Sequence, residues 1–475
     1  MSKNYTAVGQ IKYLNRFLRP IFGLFLFFTI SCAQESYQTG ASGSNYFKIY
    51  SFDQQTNQGQ FIPVLLENLW TVNPMSGQFA EFVYAPREQN SEIIGDSPKL
   101  NFIQNREGVW VPQNLLSMEV ASLYFQFQNL YYFDKQLGFE TLYKLPRKIS
   151  VQTRIKSEKS NRAAHNNAFY EMNREIFFFL PTAGEGLQIP LNSGVIAHEH
   201  FHSLFHKLVL NKLKVSEKEK SFLAVHAAPI KDEDFEQIRE EVLEIYNFIF
   251  LRALNEGLAD YWGWLYSKDT HFIGRSLLDS ENSRNLSEKS DQSWMQASIL
   301  LAPLWEYKSK KIKKRKKNRN NKPNEETEER ETEDRKNEDY KNERIYNRED
   351  YIARSYHMGA QLAREMVSMN NELAENQKDV LKSKEKLAGA LLKFLEHFGS
   401  SLQGRLEKNE IVDPQIFLKE FIQYLEKQDP VFYKSILKPK KEDIPIVEAP
   451  KDINPKSSTS KASNPENEIK KEVKK

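Results

Sequence analysis

The chain has 475 residues, 40% of them hydrophobic and 28% charged, with 67 Lys and Arg against 64 Asp and Glu. That is enough apolar material for one large two-lobed enzyme or two domains, and a net charge of only +3 gives no support to a nucleic-acid partner. A single cysteine, Cys32, excludes an internal disulfide and any thiolate metal site.

The first residues speak to location. Lys3, Lys12, Arg16 and Arg19 precede a short apolar run at residues 20–30. The run is too short for a comfortable membrane span and suits the apolar segment of a signal peptide. It ends at Cys32, behind Thr29-Ile30-Ser31. This resembles a relaxed bacterial lipobox, because Leu usually stands where Thr29 does. Residues 1–31 read as a lipoprotein signal peptide and Cys32 as the lipidated residue, with a signal anchor as the alternative. The expected location is the bacterial cell envelope, lipid-anchored, with the outer membrane or cell surface favoured. Residues 32–44 read as a tether. Residues 45–116 alternate aromatic and polar residues between turn signals, as in "SNYFKIYSF" and "GQFAEFVYAP", and predict a small β-rich N-terminal region.

Four of the nine histidines crowd into "SGVIAHEHFHSLFH", residues 193–206. His198 and His202 are four apart, so a helix puts both rings on one face, one turn apart. Glu199 follows the first. The pattern H-E-x-x-H reads as two zinc ligands with a carboxylate beside the metal. The stretch carries no Pro or internal Gly, and Ser193 and Gly194 are the expected caps. A catalytic zinc needs a third protein ligand and one open position. A third histidine at 208 is ruled out by Leu208. Downstream, "LRALNEGLADYWGWLY" places Glu256 and Asp260 four apart on one helical face. Glu256 can be the third ligand, and Asp260 can accept a hydrogen bond from the far nitrogen of a ligand histidine.

"HEHFH" followed by "NEGLADYWG" resembles the gluzincin metallopeptidases of the thermolysin and fungalysin group. "NNAFYEMNREIFFFLP", about thirty residues before the first motif histidine, is similar to that group's edge strand. "MEVASLYFQFQNLYYFDKQLGF" resembles its tyrosine-rich helix. The likeness covers roughly residues 118–307. It implies an α+β, thermolysin-like, two-lobed fold: a mixed-sheet lobe with the zinc helices, and a mainly helical C-terminal lobe. It further implies one zinc per chain on His198, His202 and Glu256, with Glu199 as general base. Asp260 would support His198, Asn255 would support His202, and the backbone of Asn167-Ala168 would pair with an extended peptide substrate. The implied organisation is a catalytic region at 117–308, a charged disordered insert at 309–349, a helical lobe at 350–436 and a disordered tail at 437–475.

Three features depart from that group. The gap between His202 and Glu256 is long and suggests extra helical material. The charged insert interrupts the chain. The histidine expected to steady the oxyanion is missing from "SDQSWMQ", residues 290–296, where Trp294 stands near its place. His357, His271 and Arg275 are the substitutes to examine, with His357 the choice carried forward. The leading expectation is a membrane-tethered zinc endopeptidase with a peptide or protein substrate. The alternative is a catalytically weak or inactive lipoprotein of the same fold that binds or scaffolds.

Overall fold

The structure, a computed structural model, describes residues 45–433 apart from 155–164, 214–241, 278–283, 288–347 and several shorter breaks. The expected signal segment, Cys32, the expected tether, the tail beyond 433, almost all of the charged segment 309–349, residues 290–296 and most of the long gap between His202 and Glu256 lie outside the described residues.

The described residues begin with eight strands: β1 (Tyr46–Asp53), β2 (Gln58–Leu65), β3 (Leu69–Val72), β4 (Met75–Gly77), β5 (Ala80–Gln89), β6 (Glu92–Asp96), β7 (Phe102–Gln104) and β8 (Trp110–Pro112). Four of them form a sheet in the order β2-β1-β8-β7. Its inner face follows the alternation of β1, with Phe47 and Ile49 buried.

Helix α1 (Leu115–Leu137) starts where the Asn114 side chain accepts from Ser117 N. It stops at Gly138, whose φ of 83° is the left-handed conformation that glycine adopts without strain. Beyond it come β9 (Arg147–Val151), β10 (Ala168–Glu171) and β11 (Ile176–Phe179). These do not form a sheet of their own. β9 pairs parallel with β5, and the second sheet runs β10-β11-β9-β5-β4-β3, with β6 on β5. Strands of the N-terminal region therefore continue the sheet that carries the site. The pairings are mixed, since β11 and β9 are parallel while β10 and β11 are antiparallel. The β10 strand is the outer edge.

The helices follow: α2 (Ser193–Leu208), α3 (Val242–Ser267), α4 (Phe272–Ser276), α5 (Arg348–Glu375), α6 (Val380–Glu407), α7 (Pro414–Gln428) and α8 (Pro430–Tyr433). The molecule is thus α+β, with helices dominating the C-terminal part. Trp262 of α3 lies fully buried between Phe133 of α1 and Phe201 of α2, with ring centroids 5.4 and 5.3 Å away. This locks α2 and α3 to the helix that backs the sheet. On its other side α3 meets α5 at a glycine crossing. A Cβ on Gly257 would lie 2.4 Å from the Gly359 carbonyl oxygen, so only glycine lets the two backbones approach this closely. That crossing sits beside Glu256 and brings residues 356 and 357 towards it. Among the described residues no helix is long and apolar enough to cross a membrane.

Candidate metal centre

Helix α2 begins one residue earlier than the expected Ser193 and Gly194 caps. Its cap is Asn192, whose Oδ1 accepts from Gly194 N and Val195 N at 3.1 and 3.2 Å. The other end of the same side chain donates to Phe272 O at 2.6 Å and Ser276 Oγ at 2.8 Å. One residue thus starts the motif helix and ties it to α4.

His198 and His202 then present their Nε2 atoms to each other at 3.1 Å. Their outer nitrogens are held by α3. His202 Nδ1 lies 2.9 Å from Asn255 Oδ1, and His198 Nδ1 lies 2.9 Å from Asp260 Oδ1, close in distance though poorly aligned for a hydrogen bond. With acceptors on both Nδ1 positions, the protons belong there, and both Nε2 lone pairs point into the same space. Glu256 Oε2 completes the group 3.6 Å from His198 Nε2. The three ligand atoms all fall within 4.8 Å of one another. Two imidazole nitrogens on one tetrahedral zinc would sit about 3.3 Å apart, close to the separation found. Glu256 Oε1 is buried with no hydrogen-bond partner among the described residues. Facing lone pairs and an unpartnered buried carboxylate oxygen are what a cation would resolve. This buried His/His/Glu group could therefore bind a metal ion.

The electrostatics agree. Burial holds the His198 imidazole below its usual range and pushes His202 down to about 4, so both rings are neutral at pH 7. Burial opposes the charge on Asp260, yet Arg284 and His198 outweigh it and hold that carboxyl below the usual range. Glu199 is driven the other way, by burial first and then by the neighbouring Glu256. Its Oε2 accepts from the Tyr170 backbone N–H at 3.1 Å, so the edge strand β10 fixes its position.

A cavity of about 490 Å³ opens on this group. His198, Glu199 and Glu256 line it, together with Ala168 at the start of the edge strand and Asn167 just before it. Ile189, Val195, Phe272, Ile273 and Leu277 make an apolar wall, and Arg284, Tyr356 and His357 line the remainder. The substitutes for the missing histidine separate here. His271 is held at Thr270, Arg275 is paired with Asp269, and neither lines the cavity. His357 lines it, but its ring is exposed and lies 3.2 Å from Gln361 Nε2.

Two participants had no signal in the sequence. Arg284 Nε donates to Asp260 Oδ2 at 2.9 Å, its Nη2 reaches Asp260 Oδ1 and lies 3.3 Å from Glu256 Oε2, and its guanidinium sits 5.0 Å over the Tyr356 ring. It is one of 67 Lys and Arg, and no spacing ties it to the motif. Tyr356 is adjacent to His357, and its ring also carries Arg252 at 5.2 Å. Comparison with models of known protein families, with curated proteins and with solved structures finds no match for this chain.

Proposed function

We propose that the chain is a zinc-dependent endopeptidase of thermolysin-like build, tethered to a bacterial membrane through Cys32. The observation that carries this reading is the meeting of a His198/His202/Glu256 ligand group with Glu199, whose carboxylate is held by the edge strand along the same cavity. A donor set of two neutral imidazoles and one carboxylate suits zinc with an open position. The lone cysteine at the end of a short apolar run supports the tether.

When bound, the zinc would polarise a peptide carbonyl and ease loss of a proton from water. The chain's residues do the rest. Asp260 and Asn255 fix the tautomers of His198 and His202. Glu199 takes the proton from the attacking water and passes it to the departing amine. Its raised affinity for a proton fits that relay, and a cation beside it would favour the charged form that starts the cycle. The edge strand offers backbone groups to an extended peptide by strand addition. The apolar wall would hold one apolar side chain next to the scissile bond. Tyr356 lines the same cavity and burial keeps its phenol protonated, so its hydroxyl would be the donor to a developing oxyanion.

Glu199→Gln tests the reading. It preserves size but removes the base. Metal content by mass spectrometry should be unchanged, and turnover of a peptide library should fall by roughly two to four powers of ten. Wild type that binds zinc yet cleaves no faster than Glu199→Gln would replace this reading with a binding or scaffold lipoprotein.

A further inference from the structure

The sheet β2-β1-β8-β7 has two faces of different use. The inner one packs Phe47, Phe102 and Trp110 into the core region, with Phe47 5.3 Å from Phe102 and 6.2 Å from Trp110. The outer one is also apolar, and it is open. Tyr46 is 46% exposed, Phe61 52%, Leu65 41% and Ile103 45%. The pairing register puts all four on the same face. Tyr46 stands opposite Leu65 and Tyr50 opposite Phe61. Ile103 stands opposite Val111. Phe47 stands opposite Trp110, so Lys48 comes beside Val111. Residues of one parity share one side of a sheet, and the row Pro63, Lys48, Val111, Ile103 therefore crosses all four strands. The Tyr50 ring lies over Gly59, where a Cβ would meet its hydroxyl at 1.8 Å, and edge-on to Phe61 at 6.0 Å. Among the strand residues on this side Lys48 is the only charged one; at the far end of β1 the Arg275 guanidinium, paired with Asp269, covers the Phe52 ring at 4.6 Å, so the open part of the face runs from Tyr46 to Tyr50 and its partners.

A soluble sheet ordinarily turns its polar residues to water. An exposed face of aromatic and aliphatic side chains marks something it is meant to touch. We propose that this outer face docks on the surface of the lipid bilayer that holds the chain. Tyr side chains suit the boundary between headgroups and hydrocarbon. The one charged side chain that the strands themselves place on this face, Lys48, is positive, which suits the anionic lipids found there. The chain's own order supplies the third argument, and it rests on the lipid-anchor part of the function proposed above. Cys32 precedes Tyr46 by fourteen residues. At no more than about 3.6 Å per residue, β1 can never be farther than about 50 Å from the anchored sulfur. Confinement of that kind raises the effective concentration of the face at the lipid to roughly millimolar, so a shallow apolar contact is enough to hold it. The lipid anchor would then retain the protein, and the sheet would fix its orientation.

The test uses the full chain reconstituted in vesicles of phosphatidylcholine and phosphatidylglycerol, with and without brominated acyl chains. Phe61→Trp puts a reporter on the face with little change of shape. Ser400→Trp puts one on an exposed position of α6 as a control. With wild-type emission subtracted, the Phe61→Trp signal should lose at least about half its intensity to brominated lipid and resist aqueous iodide, because the face would lie at shallow hydrocarbon depth. The Ser400→Trp signal should respond only to iodide. A Phe61→Trp signal quenched by iodide and untouched by bromine overturns the proposal. So does one shielded from both, since another part of this chain or a second copy would then cover the face. Fatty-acid labelling separates the two ideas. Bromine quenching without label on Cys32 keeps the docking face and removes the anchor. Label without quenching keeps the anchor and removes the face.

Discussion

Helix α2 carries buried histidines on two sides, and they meet different partners. His198 and His202 face α3; His200 and His206 face α1 and the sheet. All four are less than 8% exposed. His200 Nε2 lies 2.7 Å from Asp134 Oδ2, which also accepts from Tyr143 Oη at 2.5 Å. His206 Nδ1 lies 3.3 Å from the Tyr170 hydroxyl. On that side each ring nitrogen in contact has its own oxygen, and the rings pack on aromatic neighbours, His200 edge-on to Tyr143 at 5.4 Å and His206 tilted against Tyr170 at 6.0 Å. On the α3 side the acceptors sit behind the rings, and the inward nitrogens are left facing each other. Burial and residue type are the same. What lets one face hold a metal ion is that Asn255 and Asp260 lie behind the two rings while Glu256 stands beside the inward nitrogens.

The largest expected effect breaks the comparison at the ligand itself. Glu256→Ala should lower metal affinity at least about a thousandfold, since loss of a ligand should exceed the 10–100-fold cost of losing an outer-shell partner. His200→Ala, on the other side of the same helix, should leave metal content unchanged. Equal metal loss in both variants, measured by competition with a chromogenic chelator, would mean that the two faces do not differ in the way described.

His200→Ala should register elsewhere. Removing the histidine leaves Asp134 buried and supported only by Tyr143 among the described contacts. Leaving a buried carboxylate oxygen without its hydrogen-bond partner costs about 1–3 kcal/mol. A midpoint in urea unchanged from wild type would show that the pair contributes no stability. Asn255→Ala is the smaller perturbation on the metal side. It spares all three ligands and removes only the acceptor behind His202, so metal affinity should drop by about 10- to 100-fold. Titration of the apo protein with the same chelator present would detect this, and an unchanged affinity would remove Asn255 from the supporting role.

Much of the candidate metal centre could be read from the sequence because its logic is local. The four-residue spacings of His198 with His202 and of Glu256 with Asp260 are helix geometry, and Asn255 is the neighbour of Glu256. The cap was displaced by one residue because Asn192, Ser193 and Gly194 are all good caps in a row, and the choice fell to the one that also reaches Phe272 and Ser276. The rest depends on contacts that leave no local trace. β5 and β9 pair in parallel, with Ala80 opposite Arg147 across 67 residues of chain. The edge strand is identifiable by likeness, but its backbone N–H at Tyr170, which holds Glu199, carries no residue-type signal at all. Arg284 and Tyr356 arrive from segments far along the chain, and only the glycine crossing of α3 with α5 brings the second of them near Glu256.

Helix α1 extends the comparison to acids. Asp134 and Glu119 are both fully buried. Asp134 meets His200, whereas both oxygens of Glu119 are met by the Gln152 amide at 3.1 and 2.8 Å. Burial pushes Glu119 up to about 7, and the Gln152 bond offsets only part of that. The folded chain holds this proton more tightly than the unfolded chain, whose Glu titrates near 4.5. Between those two values the folded state binds more protons, so stability falls as pH rises through the window and levels off above about 7. Glu119→Gln has no proton to lose and keeps an oxygen for the Gln152 amide. It should be more stable than wild type at pH 8, by on the order of 1 kcal/mol, and the advantage should vanish near pH 4. Urea midpoints for the two proteins across that range would measure it. A constant difference at every pH would mean that Glu119 stays charged in the fold, held by a cation that the Gln152 contact alone does not provide.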